Sequence, residues 1–147
     1  MHSKAMTIID ALLGEHGALN PLFDRIEALA QNAELPELKL HANLLESTLI
    51  SHADLEDALL RPELRHSLPL TSGPTDHEQI RAGLERVAAA VDEGEARRYL
   101  FETLAKTRRH FRKEESIIFA IARCELRPDR QEELAAEWAQ LRGLFIG

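Results

Sequence analysis

LLESTLISHADLEDALL, residues 44–60, carries Leu45, Leu49, Leu55 and Leu59 at helical spacing and sets His52 and Glu56 among them. Four residues apart, this histidine and glutamate stand one turn from each other on a single helical face. A second stretch, LAKTRRHFRKEESIIFAIAR at 104–123, repeats the arrangement: His110 and Glu114 keep the same spacing, near a stripe of Leu100, Leu104, Ile117 and Ile121. One such pair also arises on a solvated helix face. Two of them, both directed at the core or its border, are harder to explain that way. An unpaired buried carboxylate is costly, so two inward glutamates in a small domain call for cations.

Outward from these stretches the chain reads as helix. A first helix is predicted from about Thr7 to Gln31 on the stripe Leu12, Leu13, Leu19, Leu22, Phe23, Ile26 and Leu29. Pro21, with Gly14 and Gly17 nearby, is expected to bend or disturb it. The second runs from about Pro36 to Leu60, with Pro36 in its first turn. Arg61 to Thr75, punctuated by Pro62, Pro69, Gly73 and Pro74, is expected to be a long connection rather than a helix. A third helix starts at Thr75 or Asp76, where Glu78 completes a capping box with Thr75, and continues to about Val91. Asp92, Glu93 and Gly94 make a short turn into a fourth, about Glu95 to Arg123. After the Arg127-Pro128-Asp129 break a fifth covers about Pro128 to Leu141, with Trp138 packing it on the rest. Short links force antiparallel neighbours. The order short, long, short therefore predicts an all-α, antiparallel up-down four-helix bundle over about 7–123, with an additional C-terminal helix, in one domain across 1–147.

Depth along the bundle then brings four histidines together. Around a first turn near residue 34, His16 and His52 are each about 18 residues away. Around a second turn at 92–94, His77 and His110 are each about 16 or 17 residues away. At about 1.5 Å of rise per residue, each hairpin holds its two histidines at one level, toward the end of the bundle away from the short turns. His41 shares the stripe of His52 but lies three turns off, roughly 16 Å along the axis, and reads as structural or surface. His66, in the long connection, can approach the site as a ligand or gate, and Glu115 and Glu78 are further candidates.

Composition sets the outer bounds. The chain of 147 residues is 44% hydrophobic and 29% charged but only 5% aromatic, a helix-rich, soluble balance. A net charge of −7 argues against a general nucleic-acid binder. The basic run Arg108, Arg109, Arg112 and Lys113 reads as a solvated face. No stretch reaches the roughly 18 apolar residues of a membrane span, and no leader pattern opens the chain, so a cytoplasmic protein with no membrane partner is expected. The single cysteine, Cys124, excludes an intrachain disulfide and any cysteine-built metal site, and reads as a small core residue.

One His on helix one, H-x-x-x-E on helix two, one His on helix three and H-x-x-x-E on helix four resembles the hemerythrin family, and more closely its HHE cation-binding branch. The resemblance covers about Ala11 to Ile121 and includes Asp76-His77-Glu78 and His110-Phe111-Arg112-Lys113-Glu114-Glu115. It implies two non-haem iron ions, bridged by an oxo or hydroxo group, with His16, His52, Glu56, His77, His110 and Glu114 as metal ligands and the two glutamates as carboxylate bridges. Imidazole and carboxylate together suit iron. Ferritin-like bundles use Glu-x-x-His instead, a spacing not found in these pairs. Oxygen-carrying hemerythrins have a second His one turn after the helix-three His; here that position is Arg81, which cannot act as a ligand. Two six-coordinate irons would then keep about two positions for water or substrate.

The resemblance implies a di-iron protein that binds or processes a small oxidant: dioxygen, another diatomic such as nitric oxide, or peroxide. Two other readings stand beside it. One is a non-catalytic iron or oxygen sensor, or iron-handling module, with the segment from Pro128 as its relay. The other is a zinc-bound or metal-free structural bundle acting through protein contacts. The leucines of the fifth helix leave room for a homodimer.

Overall fold

The computed structural model describes residues 5–68 and 75–144. Among them the chain is helical throughout, and no helix is long and apolar enough to cross a membrane. Four antiparallel rods form the bundle. The first is α1 (Ile8–Ala30), begun by a capping box in which Thr7 accepts from the Asp10 N–H and Asp10 accepts from the Thr7 N–H. The second is α2 (Leu35–Leu45), continued through a π segment (Glu46–Ile50) into α3 (Ser51–Leu59). The third is α5 (Asp76–Ala89), opened by the expected Thr75–Glu78 capping box. The fourth is α6 (Glu93–Lys113), N-capped by Asp92, continued through a second π segment (Glu114–Ile118) into α7 (Phe119–Glu125). A fifth helix, α8 (Pro128–Leu141), lies on α1 and α3.

Local chemistry explains where expectation and structure part. Pro21 lies inside α1, which nevertheless runs unbroken. The carbonyl it would oppose, four residues back, belongs to Gly17, and both residues face solvent, so water can take the lost hydrogen bond. The stretch after Leu60 is not all connection. A one-turn helix, α4 (Arg61–Leu64), starts with Pro62 in its first turn and buries Leu64. Pro69, Gly73 and Pro74, and His2 at the start, lie outside the described residues. Ile117, expected on the inward stripe, is 52% exposed; Phe119 and Ala122 are buried in its place. The π segment adds about one residue to that turn and moves the apolar face on by one position. Cys124 is exposed rather than in the core.

The core has two parts. One, toward the short turns, gathers Phe23, Leu38, Leu84, Leu100 and Phe111. The other, at the opposite end, gathers Ile8, Leu12, Leu64, Phe119 and Trp138 under α4 and α8. The polar centre lies between them, toward the end away from the short turns in the second and third rods, where Glu56 is close to the end of α3 and His77 is the second residue of α5; α1 and α7 run on past it and, with α4 and α8, enclose the second core. Helices α5 and α6 pack closely at Gly83, where an added Cβ would stand 2.2 Å from Thr103 Oγ1.

A candidate metal centre

Each rod sends its inward histidine or H-x-x-x-E pair to one level. His16, His52, Glu56, His77, His110 and Glu114 are all buried, Glu114 completely. They form two groups that share both glutamates: His16, His52, Glu56 and Glu114; and Glu56, His77, His110 and Glu114. In each, one atom per residue lies within 4.8 Å of the others.

The two halves mirror each other. In one, His16 Nε2 lies 3.1 Å from His52 Nε2 and 3.2 Å from Glu114 Oε1, and His52 Nε2 lies 3.4 Å from Glu56 Oε2. In the other, His77 Nε2 lies 2.9 Å from His110 Nε2 and 3.5 Å from Glu56 Oε1, and His110 Nε2 lies 3.2 Å from Glu114 Oε2. Each glutamate thus turns one oxygen to each half. Ligand atoms about 2.1 Å from a common ion stand about 3.0 Å apart at a right angle and about 3.4 Å apart at a tetrahedral one. The separations here run from 2.9 to 3.5 Å, close to that range at both ends. The residues of each half could hold a metal ion, and both glutamates are common to the two halves.

The outer atoms decide which nitrogens face inward. His52 Nδ1 is 2.7 Å from Glu15, His77 Nδ1 3.0 Å from Asp57, His110 Nδ1 2.9 Å from Asp76, and His16 Nδ1 3.4 Å from Glu115. A carboxylate beside Nδ1 accepts a hydrogen bond from its N–H, so the proton stays on Nδ1 and the Nε2 lone pair is left bare, the usual orientation of a metal-binding histidine. With that neutral tautomer at all four histidines, four bare nitrogens and four carboxylate oxygens converge with no donor among them. Glu56 Oε2 and both oxygens of Glu114 have no hydrogen-bond partner at all. Such a cluster is strongly unfavourable unless positive charge fills it.

Protonation answers part of that demand. Burial opposes a charge on His52, but its hydrogen bond to Glu15 and the Glu56 carboxylate beside its Nε2 overcome it and raise its pKa to about 9. Burial, and then the neighbouring charge of His52, lower His16 to about 4. Burial also lowers His110. Burial would raise Glu15, yet its bonds to His52, Arg142 and Trp138 bring it down to about 2.

The remaining candidates stand apart. Arg81 is exposed and donates to Asp54 Oδ1 at 3.1 Å, away from the centre. Glu78 is engaged in the α5 cap, His66 is an exposed turn residue and His41 is half-buried far along α2. Glu115 serves His16 from outside. Of the four outer carboxylates only Glu115 was noticed in the sequence; Glu15, Asp57 and Asp76 were not read as partners of the site, nor was Phe111, whose ring stacks on His16 at 3.7 Å between centroids. A signal for the carboxylates was present: each is adjacent in the chain to an inward residue, as Glu15-His16, Glu56-Asp57, Asp76-His77 and Glu114-Glu115.

A family model for the hemerythrin HHE cation-binding domain matches residues 7–122, and an overlapping stretch at 74–145. The chain belongs to that family. No curated protein and no solved structure matches it.

Proposed function

We propose that this hemerythrin-family chain holds two iron ions between its four rods and binds or processes a small oxidant there. The carrying observation is the burial and convergence of four Nε2 atoms and four carboxylate oxygens in two mirrored halves, three of those oxygens without a hydrogen-bond partner. Bound iron would supply reversible redox chemistry and open positions for an oxidant. His16 and His52 would hold one ion, His77 and His110 the other, with Glu56 and Glu114 spanning both. Glu15, Asp57, Asp76 and Glu115 would orient the imidazoles and hold a proton on each Nδ1, so that Nε2 would face the ion.

Access supports a small ligand. A cavity of about 10 Å³, with room for about one water-sized molecule, touches His52, His77 and His110 and is otherwise lined by Leu49, Ile50, Ala53, Ile80 and Phe111. Its apolar wall suits dioxygen or nitric oxide better than a charged species. Metal content by mass spectrometry, on protein expressed with ample iron, is the first test. About two irons per chain, lost in Glu56→Ala and His110→Ala, are expected. Full iron content and full oxidant reactivity in those variants would sink the proposal, and one zinc in a well-folded chain would favour the structural reading. Stoichiometric reaction with oxidant, without turnover, would favour a sensor, a reading that the hydrogen bonds from α8 to Glu15 also support.

A further inference from the structure

The four outer carboxylates are not equivalent. Asp57 is 42% exposed and paired with the surface residue Arg61; Asp76 is paired with Lys106 and Lys113; Glu115 is 38% exposed. Glu15 is only 14% exposed and is held by a separate helix. Trp138 Nε1 donates to its Oε2 at 2.7 Å, Arg142 Nε to the same oxygen at 2.8 Å, and Arg142 Nη2 to Oε1 at 3.1 Å. Oε1 is also the atom that meets His52 Nδ1. The forked guanidinium and the carboxylate form a paired, charge-assisted contact.

Arg142 reaches one rod further, where its Nη1 donates to Ser51 Oγ. Glu15 immediately precedes His16, and Ser51 immediately precedes His52. One side chain therefore grips the residues beside both imidazoles of one half of the centre. The end of α8 is built to hold it there. Gly143 takes φ +68°, Leu144 N–H donates to the Ala139 carbonyl at 2.7 Å, and Gly143 N–H donates to Gln140 at 3.1 Å. This stop turns the chain immediately after Arg142. Helix α8 packs on α1 and α3, the rods of that same half.

We propose that α8 is a positioning and readout element for the His16–His52 half of the centre, acting through Trp138, Arg142 and Glu15. It strengthens ion binding at that half, and ion binding there tightens α8 on the bundle, since coupling between two binding events is reciprocal. The inference rests on the reading that the centre takes two cations.

The test uses the full chain, stripped with chelator and titrated with Co²⁺ under argon. Calorimetry follows the affinity of each equivalent. Emission of Trp138, the chain's one tryptophan, and amide exchange across 128–141 follow α8. Wild type is expected to take two equivalents, to change its Trp138 emission and to slow exchange in α8. Trp138→Phe keeps the ring and loses the donor; Arg142→Met keeps the stem and loses the fork. Each should weaken one equivalent about tenfold, the lower edge of the loss for an outer partner of a ligand, and leave the other within about twofold. That second equivalent reports that the bundle is folded. Arg130→Met removes a surface pair between α8 and Glu63 and should change neither equivalent. Unaltered affinities in both α8 variants, an equal loss in Arg130→Met, or α8 exchange indifferent to Co²⁺ would overturn the coupling. Wild type that fails to take two equivalents would overturn the two-cation reading itself, a separate and recognisable result.

Discussion

Replacing Glu114 by glutamine should stabilise the metal-free protein and at the same time remove most of its response to metal. Glu114 is fully buried, and neither carboxylate oxygen has a hydrogen-bond partner. Each oxygen lies 3.2 Å from an imidazole nitrogen, His16 on one side and His110 on the other. Glutamine keeps the shape, deletes the charge and can donate to one of those nitrogens. Relieving a buried unsatisfied group is worth about 1–3 kcal/mol. For a domain of this length each kcal/mol moves Tm by about 2–4 °C, so a gain near 2 kcal/mol raises Tm by about 4–8 °C in chelator. Metal reverses the order. At free metal one hundred times Kd a binding site contributes about 2.7 kcal/mol, and the variant has lost the bridge common to both halves. Far-UV circular dichroism melts in EDTA, and with Co²⁺ under argon, measure both halves of the prediction. A variant that melts below wild type in EDTA would refute the claim that the carboxylate is uncompensated there. A variant that gains as much from Co²⁺ as wild type would refute its role as a ligand.

Other outcomes follow from single features. In metal-free protein, stability should decline as pH falls from about 6.5 to about 4, because unfolded His16 accepts a proton that the buried residue refuses. Glu15 should extend the loss from about 4.5 toward about 2, and His52, raised to about 9, should make stability decline as pH rises from about 6.5 through about 9. Urea melts across pH 3–9 check both arms, and a flat profile contradicts them. Gly83→Ala should cost about 1–3 kcal/mol in urea unfolding, because its new methyl meets Thr103 Oγ1 at 2.2 Å; a neutral result would mean that α5 and α6 separate freely. Arg81→Ala removes an exposed pair with Asp54 and should stay within about 0.5 kcal/mol of wild type, with metal stoichiometry intact by mass spectrometry.

The bundle was legible because helical period converts residue number into both face and depth. Leu45, Leu49, His52 and Glu56 lie on one side of a rod, and counting from the turns put all four histidines at one level. What that arithmetic cannot supply is a change of period. From His110 and Glu114 a regular helix brings Ile117 and Ile121 inward; with the π segment Ile117 is exposed and Phe119 and Ala122 are buried, while Ile121 packs partly buried beside them. No residue in Glu114–Ile118 announces it. The second core was missed for a different reason. Residues 61–64 and 128–141 pack there against α1, α3 and α7, and where a helix docks depends on surfaces remote in sequence.

The outer carboxylates show how adjacency in the chain becomes order around the bundle. Glu15, next to His16 on the first rod, holds His52 on the second. Asp57, next to Glu56 on the second, holds His77 on the third. Asp76, next to His77 on the third, holds His110 on the fourth. Glu115, next to Glu114 on the fourth, returns to His16 on the first. The four contacts form a closed ring. Turning any one rod about its axis disturbs two of them at once, the one its carboxylate makes and the one its histidine receives. Imidazole orientation is therefore set by the fold before any ion arrives, which is what a pre-organised site requires. The ring is not uniform. Its contact from the first rod to the second is the shortest, at 2.7 Å, and α8 reinforces it; its contact from the fourth back to the first is the longest, at 3.4 Å, and is made by an exposed glutamate. Both converge on the His16–His52 half, one as a fixed strut and the other as a loose one. If the ring opens to admit or release an ion, the least costly place is between Glu115 and His16, with Glu15 and α8 keeping His52 in register.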